Sequence, residues 1–183
     1  MNDLMIDMET LGVSVSSPII SIAAVYFDLA SGEVGDTFYK VVKLDSALEH
    51  GVVEPSTLTW WMAQTDEARK IFSATDASML KDVLKELALF MLRTDVQVQI
   101  NVWGNGASFD NALLSNAYRR FGMPLPWKFR NDRDVRTIVD LAKRLKNVDV
   151  LSSVRMNGVR HNALDDALYQ IEYVSAAYHA LRD

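Results

Sequence analysis

Leu4-Met5-Ile6-Asp7-Met8-Glu9-Thr10 is the stretch on which the fold of this chain turns. Read as a strand, it sends Leu4, Ile6 and Met8 to one face and Met5, Asp7 and Glu9 to the other. Apolar Leu4 and Ile6 mark a central strand, where two bare carboxylates are costly without a cation. Asp7 and Glu9 would stand about 7 Å apart along that strand, on one face. A solvated strand end is the other reading of the same Asp-x-Glu pair.

Two β-branched and aromatic runs follow, Ile19 to Asp28 and Asp36 to Lys43, and Ala30-Ser31-Gly32-Glu33 joins them as a hairpin. A fourth strand is predicted over Gln97 to Trp103, stopped by Gly104-Asn105-Gly106, and a short fifth near Trp127 to Arg130. Helices fill the gaps. Ser56 is a candidate cap for a helix through Trp60 and Trp61, and Thr65 for another through Ile71. Ser78 to Arg93 carries Leu80, Val83, Leu84, Leu87 and Met91 at helical spacing. Ser108 to Phe121 and Val135 to Lys146 follow, and a last helix starts near Asn162 with Leu164, Leu168, Ile171, Val174, Tyr178 and Leu181 as its buried stripe. The order predicts an α/β fold in one domain, residues 1–183: a mixed sheet of antiparallel hairpin strands and parallel strands, with helices on its faces.

At 183 residues the chain can bury one substantial core. It has no cysteine, so any metal must sit on oxygen and imidazole. Met1-Asn2-Asp3-Leu4 lacks a basic n-region and the run Ile19 to Phe27 is too short to cross a bilayer, so a soluble cytoplasmic protein without membrane contact is expected. The net charge of −5 hides an asymmetry: Tyr118 to Arg160 holds eleven Lys/Arg against four Asp, a local +7 that leaves −12 elsewhere. A basic region beside an acidic cluster suits a phosphate polymer steered by Lys and Arg, and solvated helix faces are the plainer reading.

Two further groups join the first acids. Asp110, in Asn105-Gly106-Ala107-Ser108-Phe109-Asp110, follows a strand and a Gly-Asn-Gly turn. It is either a helix N-cap, a role open to Ser108 as well, or a site residue at the carboxyl end of a parallel strand. The last group is His161-Asn162-Ala163-Leu164-Asp165-Asp166. Five helical steps would leave His161 and Asp166 roughly 140° apart, which places His161 on the loop before the helix. Asn162 then fits the N-cap, with Asp165 at the third position as a variant capping box. Asp166 is the ligand candidate and His161 a mobile base, whereas His50 and His179 are read as surface decoration. Four carboxylates at one point make a site for two hard divalent cations.

Asp7-x-Glu9-Thr10, Asn105…Phe109-Asp110 and His161-x4-Asp166 resemble the three motifs of the DEDDh 3′→5′ exonucleases, in the right order and across nearly the whole chain. That superfamily includes polymerase proofreading subunits, ribonuclease T and oligoribonuclease, on a ribonuclease H-like fold. Thr59-Trp60-Trp61-Met62-Ala63-Gln64 and Arg133-Asp134-Val135-Arg136-Thr137 are similar to a small bacterial and phage branch of exoribonuclease-like proteins.

The resemblance implies that Asp7, Glu9, Asp110 and Asp166 bind two Mg²⁺, with Mn²⁺ able to substitute, and that His161 takes the proton of the attacking water. Activity rising through about pH 6–8 would follow from an ordinary imidazole. The implied substrates are single-stranded nucleic acid 3′ ends or short oligonucleotides, RNA slightly before DNA, and the implied assembly is a homodimer. Met8, Thr10 and Leu11 flank the first ligand pair and would meet the terminal nucleotide through backbone amides or apolar packing. Trp61 with its neighbour Trp60 offers a stacking platform; adjacent residues cannot both face inward, so one belongs to the core and one to the cleft. Asn105 either binds phosphate or adopts a left-handed turn, and Arg136 either clamps phosphate or pairs with Asp134. The reading of another class is a catalytically silent nucleic-acid-binding module on the same fold, whose signature would be a lost metal ligand. All five positions are intact.

Overall fold

The strand that carries Asp7 and Glu9 lies inside the sheet, with a neighbour on each side. A computed structural model, describing residues 1–92 and 100–182, gives the order β1 (Asp3–Thr10), β2 (Ile19–Phe27), β3 (Val34–Val41), α1 (Leu44–Glu49), α2 (Pro55–Met62), α3 (Asp66–Arg69), α4 (Leu80–Met91), β4 (Asn101–Gly104), α5 (Asp110–Arg120), β5 (Asp132–Asp134), α6 (Val135–Lys146), α7 (Val150–Ser153) and α8 (Ala163–Arg182). The sheet order is β3-β2-β1-β4-β5. β1 runs antiparallel to β2 and parallel to β4, β2 pairs antiparallel with β3, and β5 is parallel to β4. This is the mixed sheet with helices on its faces that the order of elements predicts.

Each face of the sheet has its own core. Leu4 and Ile6 of β1, with Ile20, Ile22 and Ala24 of β2, pack against Val83, Leu84 and Leu87 of α4 and Leu113 and Leu114 of α5. Met5, Ala23, Val25 and Phe27 pack on the other side against Ala163, Ala167, Ile171, Val174 and Ala177 of α8. All nine residues of β2 are buried because helices cover both faces, which explains its unbroken apolar run. No helix among the described residues is long and apolar enough to cross a membrane.

Several boundaries differ from the sequence expectation. The second hairpin strand begins at Val34 and ends at Val41, two residues early at each end. The fifth strand is Asp132–Asp134, not 127–130: Phe129–Asn131 forms a 3₁₀ turn and Trp127 goes to the core, its indole donating to Asp132 Oδ1 at 2.8 Å. Of the predicted fourth strand, residues 97–99 lie outside the described residues, as does Arg93 of the predicted helix 78–93. Pro55 opens α2 with Glu54 at the cap position, so Ser56 is no cap; proline suits a first helical position whose N–H has no partner anyway. Thr65 does cap α3, accepting from Ala68 N at 3.2 Å.

The buried stripe of α8 is also shifted. Leu164, Leu168, Tyr178 and Leu181 are only partly buried, and the helix lies on the sheet through Ala163, Ala167, Ile171, Val174 and Ala177. Small side chains bring its backbone close to β1. That proximity positions its acidic face at the site.

Candidate active site

Three segments bring the acids together. β1 projects Asp7 and Glu9 from the face opposite Leu4 and Ile6, and β4 ends just before the turn that delivers Asp110 to the start of α5. Gly104 makes that approach possible, since a Cβ there would stand 2.5 Å from Asn111 Oδ1 and 2.9 Å from Asp110 Cβ. Phe109 occupies the cap position of α5 with no side-chain cap bond, so neither Ser108 nor Asp110 is consumed by capping. Asn111 anchors the helix start instead, donating to Val102 O and Asp132 Oδ1, both at 2.9 Å.

The third segment is the entry to α8. Asn162 is its cap, with Oδ1 accepting from Leu164 N at 3.0 Å and Asp165 N at 3.3 Å. Asp165 has a structural role, but its carboxyl reaches past the cap to Val159 N at 2.8 Å. His161 sits on the preceding turn at φ +66°, a left-handed conformation uncommon for a residue with a side chain. Its amide donates to Asp166 Oδ2 at 2.9 Å. Loop histidine and helix aspartate are thereby one unit.

Asp7, Glu9, Asp110, Asp166 and His161 all line one cleft of about 840 Å³. Ligand atoms of Glu9, His161 and Asp166 lie within 4.8 Å of one another. Burial pushes the Glu9 carboxyl up to about 8, with Asp166 and Asp110 adding to it. Asp7 is raised well above its ordinary value by burial, then by Asp110 and Glu9. Burial lifts Asp110 to about 7 against the pull of the Arg136 guanidinium, and Asp166 to about 6 against the His161 amide. Four carboxylates that resist ionising together, with imidazole beside them, are a donor set for hard divalent cations. His161 is shifted the other way, lowered by burial and by the Arg160 charge.

The remaining expected residues divide. Met8, Asn105 and Arg136 line the cleft. Gly106, at φ +125°, lets the turn pass under Arg136, whose Nη1 would lie 3.3 Å from a Cβ there. Asp134 is not the partner of Arg136: its carboxylate accepts from Ala107 N at 2.7 Å and from Thr137 N and Oγ1 at 2.9 Å each. It caps α6 and ties that helix to the Asp110 turn.

Thr10, Leu11 and Trp61 are turned away from the cleft. Thr10 Oγ1 donates to Gly12 O at 2.6 Å, Leu11 N donates to Pro18 O at 3.0 Å, and the Leu11 side chain is in the core. Trp61, 1% exposed, is a core residue whose indole donates to Thr10 O at 2.8 Å. The available tryptophan is Trp60, 41% exposed. It lies edge-on to His161 with 4.6 Å between ring centroids.

The cleft also holds Phe109 of the second motif, Lys143 and Arg160 of the basic segment, and three residues the sequence did not single out: Tyr169, Gln170 and Tyr173. Tyr169, Gln170 and Tyr173 stand three, four and seven residues beyond Asp166, so they share its helix face. That spacing was a readable signal, obscured by the leucines of the neighbouring stripe.

This fold is that of the DEDDh nucleases. The chain is similar to the nuclease domain of 3′hExo, a DEDDh family member solved with rAMP, at TM-score 0.63 and 14% identity over 97% of this chain and 91% of that one. It is similar also to S. pombe Pop2p in its Mg²⁺- and Mn²⁺-bound form, at TM-score 0.65 and 16% identity over 96% and 82%. In sequence it is 27% identical over 198 residues to the exodeoxyribonuclease of Enterobacteria phage T4, covering 93% of this chain and 86% of the phage protein. The chain belongs to the 3′-5′ exoribonuclease Rv2179c-like domain family, whose model matches residues 2–178. It is a 3′→5′ exonuclease.

Proposed function

We propose that the protein removes nucleotides from single-stranded 3′ ends by a two-metal reaction, with His161 as general base and RNA preferred to DNA. The observation that carries this reading is the convergence of Asp7, Glu9, Asp110 and Asp166 in one cleft, each with its acidity weakened, beside an imidazole whose pKa is lowered. The four carboxylates would hold Mg²⁺, or Mn²⁺ in its place. Bound there, the ions would acidify the attacking water and stabilise the leaving 3′-oxygen.

The chain's own residues supply the rest. His161 accepts the proton of the attacking water; its place beside Glu9 and Asp166 and a lowered pKa that favours the neutral, proton-accepting form support this role. Arg136, Lys143 and Arg160 line the same cleft and would neutralise phosphates of the bound strand. Trp60 offers an exposed aromatic surface beside His161, suited to stacking a base. Met8 and Asn105 contribute the wall next to the acids. RNA preference is supported by the family description, while the phage relative is an exodeoxyribonuclease.

The test pairs 5′-labelled single-stranded RNA and DNA of one sequence with Mg²⁺ or Mn²⁺, using wild type and Asp7→Ala. A ladder shortening from the 3′ end, faster on RNA and abolished by EDTA and by the substitution, is the expected result. Faster loss of DNA would reverse the polymer preference. No cleavage of either polymer with cation binding intact would leave a silent binding module.

A further inference from the structure

We propose that Gln170 is a positioning residue of the carboxylate site, holding Asp7 through its amide NH₂. The inference rests on the reading of the cleft as a divalent-metal site. Gln170 stands one helical turn beyond Asp166 on α8, and both line the same cleft. It is 4% exposed. Its Nε2 donates to Asp7 Oδ1 at 2.7 Å, and its Oε1 is buried with no partner.

The orientation of the amide suits the cation-bound state. A carboxylate ionised to hold a metal only accepts, so the NH₂ must face Asp7 there; turning the amide over would set two acceptors against each other. The atom left over is therefore an acceptor, buried beside a cation site and carrying an uncompensated desolvation cost. Leucine or methionine would fill this space without that cost. A glutamate would add a fifth negative charge to four that already repel one another, and a lysine would compete with the cation. Glutamine alone among side chains of this length donates to Asp7 while staying neutral. Carboxylates that bind metals are held in this way by outer hydrogen bonds, which fix the direction of the free oxygen.

The experiment compares wild type, Gln170→Met and Asp7→Asn. It reads the Mn²⁺ concentration needed to raise the melting temperature in the absence of nucleic acid, together with kcat and KM on a short oligonucleotide. Gln170→Met removes a buried unpaired oxygen together with the bond to Asp7, two opposed effects, and should melt near wild type when metal-free. It should need about 10–100-fold more Mn²⁺ for the same rise. Its kcat should fall at low Mn²⁺ and recover at saturation, with KM unchanged. A Mn²⁺ midpoint within twofold of wild type overturns the proposal. Should Gln170→Met not fold, the wild-type side-chain amide decides: its NH₂ resonances should move on adding Mg²⁺ while those of Gln64 stay, and an unmoved Gln170 amide overturns it. Asp7→Asn separates the two levels. A Mn²⁺ response surviving that change sinks the metal-site reading itself, whereas a response lost in Asp7→Asn and unaltered in Gln170→Met sinks only the role of Gln170.

Discussion

The Trp60 indole meets the His161 imidazole edge-to-face, with ring centroids 4.6 Å apart and planes at 79°. The backbone of His161 is held in a left-handed turn at φ +66° and by the hydrogen bond its N–H donates to Asp166. The indole therefore limits where the imidazole can swing. An edge-to-face pair contributes about 0.5–1.5 kcal/mol beyond its buried area. Removing the ring in Trp60→Ala should lower kcat about 3- to 10-fold, the same free energy expressed as rate, and Trp60→Phe should restore most of it. Steady-state kinetics on a short oligonucleotide checks this; equal rates for the Ala variant and wild type would show that the ring does not hold the base.

His161 should also govern the pH profile. Burial, then the Arg160 charge, lowers its pKa below the ordinary imidazole value of 6.5. The neutral, proton-accepting form is thus present at lower pH than a free histidine would allow, and kcat should reach its plateau at lower pH than an ordinary imidazole would give. Arg160→Ala should move the rising limb to higher pH. His161→Gln should cost about 10²–10⁴-fold in kcat, the usual worth of a general base, with the limb gone. A limb that survives in His161→Gln belongs to another group.

Metal-free stability should fall as pH rises. Asp166, Asp110 and Glu9 have folded values of about 6, 7 and 8, all above their ordinary ones. The folded state then binds more protons than the unfolded chain, so the contribution of these groups is complete below about pH 4 and lost as pH climbs through 6 to 8. The melting temperature of EDTA-treated protein should decline across that range, and the rise produced by Mg²⁺ should grow across it, because the cation binds the ionised carboxylates. A metal-free melting temperature that climbs from pH 5 to 8 would contradict the shifts.

Asp134 links stability to the site. Burial opposes its ionisation, yet the amides of Ala107 and Thr137 outweigh it and hold the carboxyl below its ordinary value. A lowered folded value adds stability above about pH 4 that disappears as pH falls through it. Asp134→Ala should cost about 1–2 kcal/mol as a lost cap, about 2–8 °C in melting temperature for a chain of this size. Loosening the Ala107 turn should also weaken Mn²⁺ binding at Asp110, measurable by titration. An unaltered Mn²⁺ midpoint would confine Asp134 to capping.

Much of this protein was determined by local order in its sequence. Alternation in β1 set Asp7 and Glu9 on one face, opposite Leu4 and Ile6. The span Val135–Lys146 was legible to the residue, and Asn162 identified the start of α8 with His161 on the loop before it. These features depend on periods of two and 3.6 residues and on caps a few positions away, which a linear reading contains.

Tertiary contact decided the rest. Nothing local distinguishes Trp60 from Trp61; the hydrogen bond from the Trp61 indole to Thr10, across fifty-one residues of sequence, selects which ring is buried. The fifth strand lies beyond its apolar stretch because Trp127 fits the core and Asp132–Asp134 pairs with β4. Gln170 reads as an ordinary helix residue until α8, drawn close by its alanines, sets it against Asp7. The acidity of the carboxylates arises in the same way, from burial and from one another. Identity and short-range spacing are properties of the chain, whereas desolvation and mutual repulsion exist only once distant segments meet.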